Sequence, residues 1–136
     1  NLHITSDSVE RALADAEQLI HTQGATSGID RVHTAFHGFM LAGCVKHGII
    51  VPADASITAL FKLLREKHPA FSANTVNHTD LDRVLKGIAT IVDALNPLRN
   101  RASMAHPNEV LLDEDEAMLA INCIRTLLHY FNSRLQ

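Results

Sequence analysis

Apolar positions recur every three or four residues along most of this 136-residue chain, and Gly, Pro or polar clusters interrupt them at a few places. That period puts apolar side chains on one face of an α-helix. A first helix is predicted from about Asp7 to His21, because Val9, Leu13, Ala16 and Ile20 share a face and Asp7 with Glu10 makes a D-x-x-E start signal. Gly24 and Gly28 read as the loop that ends it. A second helix, about Ile29 to His47, carries Ile29, Val32, Phe36, Phe39 and Met40, and Gly48 ends it. The third spans about Ala55 to His68, with Asp54 as N-cap, Ile57, Leu60, Phe61 and Leu64 as its stripe, and Pro69 as its stop. After a loop to His78, Thr79 and Asp82 open a fourth helix striped by Leu81, Val84, Leu85, Ile88, Val92 and Leu95, which Pro97 breaks. Leu98 to Leu112 is polar, contains Pro107 and has no strong period. A fifth helix runs from about Asp113 to Leu135. The carboxylates of Asp113 to Glu116 suit its N-terminus, and Ala117, Ala120, Ile121, Ile124, Leu127, Leu128 and Phe131 face inward. About five such helices with short connections predict an all-α bundle.

Composition narrows the class. With 46% hydrophobic and 20% charged residues, the chain can fill one core and has too few charges for a disordered tail. The expectation is one helical-bundle domain over residues 1–136. Starting at Asn1 without Met, it reads as a piece of a longer protein with an effector region upstream. No apolar run reaches the ~18–20 residues that span a bilayer, so no membrane partner is expected. The net charge of −3 does not advertise a nucleic-acid binder, although binding depends on the local field and not on the sum. Cys44 and Cys123 fall in apolar stretches and read as small buried hydrophobes, which fits a reducing cytoplasm.

The richest chemistry lies in Asn96-Pro97-Leu98-Arg99-Asn100-Arg101-Ala102-Ser103-Met104-Ala105-His106-Pro107. An Arg offers a phosphate a fork of N–H donors, and a His gives or takes a proton near neutral pH. Read from the residues alone, such a pair also serves as a loop cap or surface charge. A second group is Asp30, Arg31, His33 and His37. His33 and His37, four apart, share a helix face and could supply two ligands of a tetrahedral site. No third or fourth ligand stands at matching spacing, and the Glu of a zinc-protease motif is missing, so neither metal nor cofactor is expected. The plainer reading has these histidines packing or hydrogen-bonding across the bundle. Lys62, Arg65 and Lys67 read as a solvated face of helix three that could help hold RNA. His3, His21, His47, His68, His78 and His129 sit mostly at helix ends, and the acidic run is a helix start and not a magnesium site.

Arg99-Asn100, with six residues before His106, resembles the Arg-x(4–6)-His signature of the HEPN superfamily, in which a polar residue often follows the Arg. Arg101 is also in range, with four residues between. The chain is closer still to the abortive-infection C-terminal domain, a HEPN-like module of bacterial phage defence. Three segments carry that resemblance in order: Ser27-Gly28-Ile29-Asp30-Arg31-Val32-His33-Thr34-Ala35-Phe36-His37-Gly38, then Leu98 to Asn108, then Arg125-Thr126-Leu127-Leu128-His129-Tyr130.

The resemblance implies a helical bundle and a metal-independent endoribonuclease or RNA-binding module, working as a homodimer with its groove between two subunits. Arg99, Asn100 and His106 would be catalytic. Arg101, Ser103, Asp30, Arg31, His33 and His37 would line the RNA groove. Products would carry a 2′,3′-cyclic phosphate and a 5′-OH. A rival from another class is a catalytically silent dimerisation or sensing module attached to an upstream effector. A metal-dependent hydrolase using His33 and His37 is a third and weaker reading.

Overall fold

The computed structural model describes residues 6–72, 80–81, 83–88, 90–91, 94 and 113–135. Among these, all regular structure is helical, as the period requires. The chain runs through α1 (Ser6–Gln23), α2 (Ala25–Lys46), α3 (Ile57–Lys67) and α4 (Pro69–Ser72), is helical again at 83–88 and 90–91, and closes with α5 (Glu114–Leu135). The predicted stripes of α1, α2, α3 and α5 form one core, in which Phe36, Phe61, Phe131, Leu13, Met40 and Ile124 are fully buried.

Two predicted boundaries move, each for a local physical reason. Gly24 alone makes the turn between α1 and α2: its φ of 99° suits a residue without Cβ, and its N–H bonds to the Leu19 carbonyl at 2.9 Å. Gly28 is not loop but α2. A Cβ placed on it would lie 2.6 Å from Ile20 Cγ1 and 3.0 Å from the Ala16 carbonyl oxygen, so glycine is there to let α2 approach α1. The N-cap of α3 is Ser56, not Asp54: its Oγ accepts the Ala59 N–H at 3.1 Å, while Asp54 turns the preceding chain at φ 58°. Asp113 caps α5 in the same way, accepting the Glu116 N–H at 2.8 Å.

Two further expectations are corrected. Pro69 does stop α3, but it also opens the short α4, where a first helical position suits proline. Val84, assigned to an inward stripe, is 57% exposed, while Leu85 beside it is buried.

α1 and α2 are antiparallel neighbours, and α5 packs across both. Polar contacts run down the α1–α5 seam, one of them a Glu–Arg ion pair. Glu10 faces His129 at 3.6 Å, Glu17 pairs with Arg125, and His21 pairs with Glu114 near the other end. α3 follows the direction of α2: the His37 ring meets the Ala55 carbonyl, Cys44 Sγ lies 4.0 Å from the Leu60 carbonyl, and His47 meets His68. Cys44 is buried, Cys123 is half-buried, and both are free thiols.

Two of the helical glycines, Gly28 and Gly87, should therefore respond oppositely to a methyl group. Gly87 is exposed, and among the described residues nothing lies within 4 Å of an added Cβ, so Gly87→Ala should stabilise by about 0.5–1 kcal/mol, the usual helix-propensity gain. Gly28→Ala should instead cost about 1–3 kcal/mol, because overpacking against a backbone oxygen outweighs propensity. Urea unfolding of both variants checks the signs, and equal shifts would remove the close-approach account of Gly28.

Candidate functional site

Of the residues singled out by sequence, Asp30, Arg31, His33 and His37 are described, while Arg99, Asn100, Arg101, Ser103 and His106 lie outside the described residues. Asp30, Arg31 and His33 occupy the first half of α2, where the chain has just turned through Gly24 and α2 is pressed against α1, and His37 lies just past its middle. Their buried neighbours Ile29, Val32 and Phe36 take the core side of the helix, and that leaves the polar side chains on its rim.

Arg31 is exposed and donates from Nη2 to Asp15 Oδ2 at 3.2 Å, across the α1–α2 seam. An exposed pair of this kind contributes about 0–1 kcal/mol, so Arg31 can leave Asp15 for another anion at small cost. His33 and His37 are half-buried and their rings stack, with centroids 6.5 Å apart and 18° between planes. His37 Nε2 lies 2.8 Å from the Ala55 carbonyl oxygen. A carbonyl can only accept, so Nε2 carries the proton, and Nδ1 is the basic nitrogen of the neutral ring. His37 thereby fastens the chain before α3 to the middle of α2. This is the plainer reading of the pair, a histidine hydrogen-bonded across the bundle. Among the described residues no three His, Cys, Asp or Glu side chains are gathered so as to hold a metal ion. Nor is any helix among them long and apolar enough to cross a membrane.

A second histidine pair was not singled out by spacing, because its members are far apart in sequence and come together only where α2 and α3 end. His68, the C-cap of α3, is 4% exposed. Its Nδ1 accepts the Ala70 N–H at 3.0 Å, which fixes the first turn of α4. The neutral ring then carries its proton on Nε2, which is buried with no hydrogen-bond partner among the described residues. The His47 ring stands edge-on to it, with centroids 3.9 Å apart. Burial, and then the neighbouring His47, push the His68 pKa below its ordinary 6.5. Burial likewise pushes the Cys44 thiol up, so that sulfur is no nucleophile near neutral pH.

A family model, Abi_C, described as a HEPN-like domain, matches residues 7–134. The match takes in the α2 rim and the whole of the 96–107 stretch. Comparison with curated proteins and with solved structures gave no match.

The His68 geometry carries a pH prediction. With the folded pKa depressed, the unfolded chain takes up the proton first as pH falls. The stability due to neutral His68 is complete above about 6.5 and is lost as pH falls from there through the folded pKa. Urea midpoints at pH 7.5 and 5.5 should differ more in the parent than in His68→Asn, which keeps an acceptor for Ala70 without titrating. Identical pH dependence in the two proteins would remove His68 from the account.

Proposed function

The chain belongs to the Abi_C family of HEPN-like domains, and from that premise we propose that it is a metal-independent endoribonuclease of a bacterial phage-defence system. Family membership itself supports a phage-defence or RNase-type module in the broad sense. The observation that carries the finer reading is the Arg99-Asn100-x(5)-His106 motif inside the matched span.

The chemistry follows from these residue types. A neutral His106 takes the proton of a ribose 2′-OH, whose oxygen attacks the adjacent phosphorus. The bond from phosphorus to the 5′-oxygen breaks, and a protonated imidazole delivers its proton to that oxygen. In a dimer with two-fold symmetry, the base and the acid can be the His106 rings of the two subunits. Arg99 stabilises the charge growing on the phosphoryl oxygens with its fork of donors. Asn100 orients the phosphate or the imidazole. The products are a 2′,3′-cyclic phosphate and a 5′-OH, and the proton balance closes without a metal-bound water.

We assign Arg101 and Ser103 to neighbouring phosphate contacts, and the α2 rim to the edge of the same groove. Arg31 suits that place because its present bond to Asp15 is solvent-exposed and weak. His33 and Asp30 lie on the same half of α2, and His37 contributes by holding the rim in place through Ala55.

Incubation of the purified protein with total RNA, with and without EDTA, tests the proposal. Cleavage should persist in EDTA, since no step uses a two-metal centre. His106→Ala should lower the rate by about 10²–10⁴-fold, the worth of a placed acid–base group. Arg99→Ala should cost on the order of 10²–10³-fold, as for loss of one donor to the transition state. Arg101→Ala should cost clearly less. Folded His106→Ala cutting as fast as the parent would assign the activity to other residues or to a contaminant, and the rival reading, a silent dimerisation or sensing module, would take over.

A further inference from the structure

His68 joins two helices with one residue. Its backbone N–H ends α3 on the Leu64 carbonyl at 2.9 Å, and its own carbonyl accepts the Phe71 N–H of α4 at 3.1 Å. Its ring completes the joint, because Nδ1 accepts the Ala70 N–H at 3.0 Å. With four residues, α4 is too short to hold its shape alone. It stays where His68 starts it and where Phe71 lands. The Phe71 ring is half-buried and packs on Tyr130 and Phe131 of α5, with centroids 6.1 and 5.8 Å apart.

One proton suits the His68 ring and a second does not. In the neutral form Nε2 carries the proton, and Nδ1 keeps its lone pair for Ala70. A second proton would sit on Nδ1 and point at the Ala70 N–H, so a hydrogen bond would become a contact between two donors. The charge would also lack an acceptor, since Nε2 is buried with no hydrogen-bond partner among the described residues. The same count of lone pairs disfavours a metal shared with His47. To ligate through Nε2 while Nδ1 still accepts from Ala70, the ring would have to be an imidazolate.

The surroundings do not relieve that charge. From α2 comes His47, edge-on with centroids 3.9 Å apart, and exposed Lys46 precedes it in the chain. The last turn of α3 carries Arg65, Glu66 and Lys67, of which Glu66 and Lys67 are exposed. α4 has no titratable side chain, and α5 brings Tyr130, against Phe71, and Arg134 over the Tyr130 ring. Of these groups it is His47 that adds to burial in opposing a charge on His68. The core, meanwhile, has other supports. Without α4, Phe131 keeps Phe36 and Phe61, and Glu17 still pairs with Arg125 across the α1–α5 seam.

We infer that His68 is a pH-operated latch: a second proton on its ring frees α4 from α5 while α1, α2, α3 and α5 stay packed. The freed ring turns to water, where the charge is solvated and the clash with Ala70 is gone. Burial and His47 hold the docked ring below the ordinary 6.5, so the latch is shut at neutral pH and opens as pH falls below 6.5. The latch stands whether or not the domain cuts RNA.

The protein carries its own reporter. Tyr130 is its one tyrosine, tryptophan is absent, and Phe71 packs against that tyrosine. The test reads the near-ultraviolet circular dichroism of Tyr130 beside the far-ultraviolet helical signal, from about pH 8 to about pH 5. The Tyr130 signal should change in one step centred below 6.5, while the helical signal stays nearly constant. His68→Asn keeps an acceptor for Ala70 and cannot titrate, so its step should vanish. His47→Gln removes a neighbour that opposes the charge, so its midpoint should move up in pH. Phe71→Ala leaves His68 in place but removes the landing ring, so at neutral pH it should already show the parent's acid signal. His129→Gln, beside Tyr130 in the chain, should keep the step. A flat Tyr130 signal in the parent overturns the latch, as does a step that survives in folded His68→Asn or is lost in His129→Gln. Loss of the helical signal together with the Tyr130 step also overturns it, because acid would then unfold the whole bundle. Should His68→Asn fail to fold, His47→Gln and Phe71→Ala decide: an unmoved midpoint in the first and a parental step in the second reject the latch.

Discussion

The Phe131 ring is the point on which the described part of the bundle depends. It meets Phe36 of α2 at 6.2 Å, Phe61 of α3 at 5.6 Å and Phe71 of α4 at 5.8 Å, each tilted or edge-on. Such geometry satisfies the ring quadrupoles and adds about 0.5–1.5 kcal/mol per pair beyond burial. A single fully buried side chain of α5 therefore ties four helices together. It brings the ends of α2, α3 and α5 to one corner, where His47 and His68 meet.

The opposite constraint acts between α1 and α2, where Gly28 removes bulk so that the helices can close. One seam needs volume and the other needs its absence. Between them, the rim of α2 that carries Asp30, Arg31, His33 and His37 is held on both sides, by Asp15 from α1 and by the Ala55 carbonyl ahead of α3. The His37 bond to the Ala55 carbonyl is half-buried and holds its ring in place, while the exposed Arg31–Asp15 pair leaves the arginine free to exchange one anion for another.

Much of this was legible in the chain itself. The stripes of α1, α2, α3 and α5 name the buried core because helical period and burial are the same fact seen twice. Gly28 was misread because glycine near a turn and glycine at a close helix contact look alike until the facing Ile20 is known. Asp54 and Ser56 both fit a cap by type, and only the Ala59 N–H distinguishes them. His47 and His68 carried no spacing signal, since their meeting depends on how α2 and α3 lie side by side. The arginine–histidine motif was legible by resemblance, which the match over residues 7–134 supports at the level of family, while its residues lie outside those described.

Whether a ribose 2′-OH is the nucleophile is the central chemical claim, and the ends of the cleaved RNA answer it most directly. Mass spectrometry of the fragments from a defined oligonucleotide, alongside the same strand with 2′-deoxyribose at the scissile nucleotide, separates the possibilities. The account predicts 2′,3′-cyclic phosphate and 5′-OH ends on the ribose strand, and no cut at the deoxy position. Fragments bearing 5′-phosphate and 3′-OH, or cleavage undiminished by the deoxy substitution, would contradict it.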